Sequence, residues 1–199
     1  MKKAIINGEL FIGNKFYKEK VLIFEDDKIV DILDEETFKK DGAKIETIDA
    51  NGRPGFIDLQ LNGCGGVLFN DDISKETIET MYKTNLKSGC TSFTPTLITT
   101  SDENILKAIS LVENLDKEKY GVIGLHIEGP YISLEKKGIH NPKFIREAED
   151  KIIDRIVESG KENVRIITLA PEKTDKKFIT KLHKAGINVA LGHTNGTYE

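Results

Sequence analysis

The feature that most narrows the fold is a steady alternation of strand and helix signals from Arg53 onward. Five strand-like runs, at Phe56–Leu61, 91–97, 121–127, Val164–Leu169 and 187–191, are separated by segments of helical periodicity. Residues 53–199 thus hold five units of about 29 residues each, near the ~30 of a βα repeat. Ser74 suits the N-cap of a helix over 74–87 whose Ile78, Met81, Tyr82 and Leu86 share a face, with Gly89 at its end. Ser101 caps a second helix carrying Ile105, Ile109 and Val112. A third carries Ile152, Ile153, Ile156 and Val157, and a fourth Phe178, Leu182 and Ala185. Such alternation implies a parallel sheet, closed either as an open doubly wound sheet or as part of an eight-unit barrel of ~250 residues. A nucleotide-binding sheet calls for Gly-x-Gly-x-x-Gly after its first strand, and Asn62-Gly63-Cys64-Gly65-Gly66 does not match it.

Residues 1–52 have a different texture. Ala4-Ile5-Ile6, Asn7-Gly8 and Leu10-Phe11-Ile12 predict a hairpin, and residues 21–32 predict strand, turn and strand around Asp26-Asp27. A last strand is expected from Lys44 to Ile48, before the turn Asn51-Gly52. This segment is too small to bury a stable core alone, so 1–52 is expected to be part of a small β-sandwich-like domain and 53–199 the barrel portion.

Charge and cysteine usage remove several classes of function. With 29 basic against 33 acidic residues, nothing points to nucleic acid or to a polybasic membrane contact. No apolar run approaches the ~20 residues of a membrane span, and Asn7-Gly8-Glu9 cuts the N-terminal apolar stretch short of a signal-peptide core. Cys64 and Cys90 have no close-spaced cysteine partner. A cytoplasmic protein with reduced thiols is expected.

In both α/β architectures the loops at the carboxyl ends of the strands build the active site. Glu128 follows the third strand and His193 the fifth, so a carboxylate and an imidazole occupy equivalent places. They are candidate metal ligands, with helix capping or plain solvation as the alternative. His126 alternates to the same side as Glu128, either as support for that ligand or as a hydrogen-bonded core histidine. Gln60 and Asn62 alternate with Leu59 and Leu61 and suit hydrogen bonding to substrate or to a metal-bound water, with turn chemistry the other reading. His140 lies in a long loop beside Lys136 and Lys137, and His183 on a solvated helix face. Thr94-Pro95-Thr96 and Ala170-Pro171-Glu172 end the second and fourth strands and shape the mouth.

Five phrases then occur in order: Pro54 to Gly63, His126-Ile127-Glu128-Gly129-Pro130-Tyr131, Lys137 to Pro142, Leu169-Ala170-Pro171-Glu172 and Gly192-His193-Thr194. Together they resemble the N-acetylglucosamine-6-phosphate deacetylase family of the amidohydrolase superfamily. The resemblance implies a (β/α)8 TIM barrel of the metal-dependent hydrolase type, here reaching its fifth strand, with a small β domain at the N-terminus. It implies hydrolysis of the N-acetyl amide of an amino-sugar phosphate, with one divalent ion, Zn or Fe, as cofactor and a homodimer as the full-length form. Glu128 and His193 map onto metal ligands, and Ile139 and His140 onto the substrate-contacting loop, where His140 could polarise the amide carbonyl. Gln60-Leu61-Asn62 stands where many relatives carry His-x-His, which looks like the one-metal variant. The family's third metal ligand and its general-base aspartate are expected beyond residue 199, so no catalytic base is assigned within the chain and little activity is expected of the 199 residues alone. Two other readings are a half-barrel that associates with another chain without catalysis, and an amidohydrolase acting on a different amide.

Overall fold

The structure is a computed structural model that describes residues 2–40 and 45–197. The chain divides between Gly55 and Phe56 into two compact units.

In the first unit, β1 (Lys2–Ile6) runs antiparallel to β4 (Lys20–Glu25) and parallel to β6 (Glu46–Asp49), and β5 (Lys28–Asp34) completes the sheet beside β4. Asp26, in the left-handed region at φ 55°, turns the chain from β4 to β5 as expected. The hairpin predicted from β1 across Asn7-Gly8 does not form. Both edges of β1 are taken by β4 and β6, so β2 (Leu10–Ile12) pairs instead with β3 (Lys15–Tyr17) as a separate ribbon. Asn7 does turn left-handed, at φ 57°, but as a corner: its side-chain amide donates to Asp49 Oδ1 at 2.7 Å. A Cβ on Gly8 would stand 1.9 Å from Ala50 O, so only glycine lets these two backbones approach. The strand expected from Lys44 begins at Glu46, Lys44 itself lying outside the described residues. A short helix α1 (Glu35–Lys40), not foreseen, follows β5.

The second unit is a parallel sheet of β7 (Phe56–Leu61), β8 (Cys90–Ile98), β9 (Leu125–Glu128), β10 (Val164–Leu169) and β11 (Asn188–Leu191), adjacent in chain order. A doubly wound sheet reverses direction at a switch point; this one never does, which is the winding of a barrel wall. Between the strands come α2 (Lys75–Leu86), α3 (Asp102–Glu113), α4 (Asp150–Ser159) and α5 (Lys176–Lys184). Ser74 and Ser101 cap α2 and α3 through bonds from the N–H groups of Thr77 and Asn104, and Asp175 caps α5. One apolar cluster joins the buried helix faces, among them Ile78, Ile109, Ile153 and Leu182, to Phe93, Leu97, Leu125, Ile127 and Ile167 of the sheet. Among the described residues no helix is long and apolar enough to cross a membrane.

Three details differ from expectation. Leu86 is 42% exposed, because α2 buries Thr77, Ile78 and Met81 and turns its last residue outward. The third strand starts at Leu125 rather than near Gly121: Gly121 and Gly124 have φ of 61° and 119°, incompatible with a continuous strand, and Val122 makes only an isolated bridge to Phe93. Leu59 and Leu61 do not share one environment. The pairing of β7 with β8 slips between Asp58 and Leu61, where Asp58 Oδ1 accepts the Gln60 N–H at 2.9 Å, leaving Leu59 exposed and Leu61 buried.

Candidate metal centre

Glu128 is the last residue of β9, held in register with Ile98 of β8 and Thr168 of β10, and it is 7% exposed. The chain then turns at Gly129, whose φ is 78° and where a Cβ would lie 2.2 Å from Thr99 Oγ1. It enters a long loop containing short 3-10 turns at Leu134–Lys136 and Pro142–Phe144. Arg146 ties the end of this loop to the α3 side, donating to the carbonyls of Thr100 at 2.9 Å and Phe144 at 2.7 Å and pairing with Asp102. The loop places His140, 2% exposed, over the end of β9. His193 follows β11 by two residues.

The sheet and the loop bring Glu128, His140 and His193 together, with their ligand atoms all within 4.8 Å of one another. His193 Nε2 is 3.0 Å from Glu128 Oε1, and His140 Nε2 is 3.9 Å from the same oxygen. The two rings lie 4.4 Å apart between centroids. His193 Nδ1 is 2.8 Å from Lys136 O, an atom that can only accept, so Nδ1 carries the proton. In the neutral ring Nε2 is therefore a bare lone pair aimed at a carboxylate oxygen. An imidazole nitrogen and a carboxylate oxygen facing each other at this distance share either a proton or a metal cation, and imidazole with carboxylate is the donor set of zinc and iron sites. The residues fit a divalent ion.

The surroundings fix these groups. Gln60 Nε2 donates to Glu128 Oε2 at 3.0 Å, leaving Oε1 to the histidines. His140 Nδ1 meets Thr99 Oγ1 at 2.7 Å, and that hydroxyl also lies 3.5 Å from Glu128 O. Burial, then the positive field of His193, holds His140 below the usual imidazole range, against the pull of Glu128.

The other sequence candidates divide. His126 stays outside the cluster. Its Nδ1 donates to Leu59 O at 3.0 Å and its Nε2 accepts from Thr168 Oγ1 at 2.8 Å, so it laces β7, β9 and β10 together. Burial pushes its pKa down, outweighing Glu128 and the bond to Leu59. The Asn62 backbone carbonyl accepts the Phe69 N–H at 2.9 Å. The Ile139 side chain is 89% exposed and outside the cluster. Sequence reasoning missed Thr99 and the Lys136 carbonyl, the groups that orient the two imidazoles. A threonine after a strand and a backbone carbonyl leave no distinctive pattern. Glu172, in sequence merely a part of the mouth, has a more particular place. Its carboxylate accepts from Thr194 Oγ1 at 2.6 Å and from Asn195 N–H at 2.7 Å.

Comparison with known proteins bears on the family and the fold. Residues 53–197 match the model of the amidohydrolase family. The chain is 45% identical over its whole length to N-acetylglucosamine-6-phosphate deacetylase of Haemophilus influenzae, covering 52% of that protein. It is 37% identical over 73% of its length to N-acetylgalactosamine-6-phosphate deacetylase of a Shewanella species, covering 37% of it. The crystal structure of N-acetylglucosamine-6-phosphate deacetylase from Pasteurella multocida superposes on the entire chain with a TM-score of 0.90 and 41% identity, again over 52% of the larger protein. The chain therefore spans about half the length of its Haemophilus and Pasteurella relatives. With a family model matched across most of its length and the family's fold reproduced over all of it, this chain belongs to the amidohydrolase family.

Proposed function

We propose that this chain supplies the metal-holding half of a hydrolase that removes the acetyl group from N-acetylglucosamine 6-phosphate, within a (β/α)8 barrel. The observation that carries the reading is the convergence of His193 Nε2 on Glu128 Oε1 at 3.0 Å, with the second carboxylate oxygen taken by Gln60. The strong similarity to deacetylases of this substrate supports it.

In this reading Glu128 and His193 hold one divalent ion, zinc or iron. When bound, such an ion lowers the pKa of water and polarises a carbonyl. Gln60 keeps the Glu128 carboxylate from rotating, so Oε1 stays toward His193. His140 serves the substrate: its Nε2 is farther from Glu128 than that of His193. In the tautomer in which the Thr99 hydroxyl donates to Nδ1, the ring proton sits on Nε2, where it can be offered to an amide carbonyl oxygen. Ile139 beside it offers an exposed apolar surface to the sugar or its acetyl group.

Acetate release from N-acetylglucosamine 6-phosphate by the protein bearing this sequence is expected to require added Zn²⁺ or Fe²⁺. The Glu128→Gln variant should lose it by about 100-fold or more, since both metal binding and water activation depend on that carboxylate. Faster release from N-acetylgalactosamine 6-phosphate would move the substrate to that epimer. No acetate from either sugar with metal bound, when these 199 residues stand within a complete barrel, would overturn the proposal.

A further inference from the structure

His193 has φ 50°, in the left-handed region that a side chain-bearing residue rarely adopts, and it lies just outside the sheet. Its ring keeps one direction only if the chain is held on both sides of it. Before it, Gly192 N–H donates to Leu169 O at 3.1 Å, and the His193 carbonyl accepts from Ser133 N–H at 2.9 Å. After it, the side chain that anchors the loop among the described residues is Glu172, whose two oxygens take one bond each from Thr194 Oγ1 and Asn195 N–H. Thr194 Oγ1 in turn accepts from Gly196 N–H at 3.0 Å, and a Cβ on Gly196 would stand 3.2 Å from both Glu172 Oε2 and Thr194 Oγ1. The carboxylate is itself on a firm base. It sits in the 3-10 turn Pro171–Lys173 directly after β10, and the preceding Ala170 N–H donates to Tyr131 O at 2.8 Å.

We infer that Glu172 is a positioning residue for the metal centre: it pins residues 194–195 so that His193 Nε2 points at Glu128. This inference rests on the metal-centre reading above and extends it to a residue in the turn after β10, a strand that contributes no ligand. Glu172 is solvent-facing, so its role is geometric rather than a large source of stability. The two-point grip gives it that geometry: one bond would let the carboxylate swivel, while two, to adjacent residues, hold the loop as a fork holds a bar. The gain is pre-organisation, since a ligand already aimed need not be ordered when the ion binds.

Co²⁺ titration of this chain, followed by its visible absorption, tests the inference beside a measurement that needs no metal. Glu172→Gln keeps size and one acceptor but cannot accept at both positions. It is expected to weaken Co²⁺ binding about tenfold, at the lower end for groups that orient metal ligands, and to alter the shape of the absorption band. Thr194→Val, which removes one of the two bonds, should weaken it less, and far-UV circular dichroism should be unchanged in both. Without metal, amide exchange at Ser133, whose N–H donates to the His193 carbonyl, should accelerate at least tenfold in Glu172→Gln, with Ile127 and Ile167 unaffected. Unchanged Co²⁺ affinity together with unchanged Ser133 exchange would overturn the inference. If the unmodified chain binds no Co²⁺, the metal-centre reading fails, and Ser133 exchange still decides whether Glu172 positions His193. Should Glu172→Gln fail to fold, Thr194→Val carries both measurements.

Discussion

In residues 2–55 the central cluster consists of Ala4, Val21 and Ile23, with Ile6, Leu33, Phe38 and Ile45 packed against it. In residues 56–197 a single cluster draws on five strands and four helices. The first unit leaves Phe16, Ile29 and Val30 exposed; the second encloses Phe69, Phe93, Ile109 and Ile127 almost completely. The cause is architectural. Each βα unit brings its own helix to cover its own strand, so apolar surface is buried as fast as it is made. The sheet of the first unit has one six-residue helix beside it, and its central cluster holds three buried side chains. The candidate metal centre is built on the deeper core, where strand ends are held on both sides.

Three measurements would break or sharpen this contrast. The largest effect is expected from truncating the two cores. Ile109→Ala should cost about 2–5 kcal/mol in urea unfolding, since the side chain is fully enclosed, whereas Val21→Ala should cost roughly 1–2 kcal/mol. Equal costs would show that the smaller cluster is as tightly packed as the larger. A middle-sized effect is expected at a helix start: Ser101→Ala removes the acceptor for Asn104 N–H and should lower stability by about 1 kcal/mol. No loss would mean that packing of Ile105 and Ile109 alone sets the α3 boundary. The smallest effect sits at the margin of the larger core. Burial raises the Cys64 pKa above the ordinary thiol range, outweighing the bond to Thr84, while Asp58 and Cys90 push it further up. A raised pKa leaves less thiolate at a given pH. Alkylation of Cys64 at pH 8 should therefore be several-fold slower than that of a free thiol, and keep accelerating above pH 9. Alkylation as fast as that of a small free thiol would place Cys64 outside the packed region.

The second unit was largely legible in the sequence because its signals are local. Ser74 and Ser101 cap where expected, and the periodic Ile105, Ile109, Ile152, Ile153 and Ile156 are all buried. The first unit was less so, because Asn7-Gly8 has the composition of a hairpin turn while the partner of β1 is chosen by β4 and β6, which are distant in sequence. The metal candidates Glu128 and His193 were visible from their places after strands. His126 was ambiguous by alternation alone, and only its bonds to Leu59 and Thr168 show that both nitrogens are engaged. Lys136 and Glu172 act across gaps of 57 and more than 20 residues, a relation that no local pattern encodes.

β9 is four residues long, and every one of them is buried between two neighbouring strands. A carboxylate mounted there has almost no freedom to follow the size of what it binds. His193 lies outside the sheet, on a loop held by hydrogen bonds rather than by strand pairing. If the site holds one ion as proposed, a change of ionic radius, from zinc to iron or to a larger cation, would therefore be absorbed at the His193 imidazole. In the proposed one-ion site, metal preference would then be set by one loop measured against one fixed oxygen.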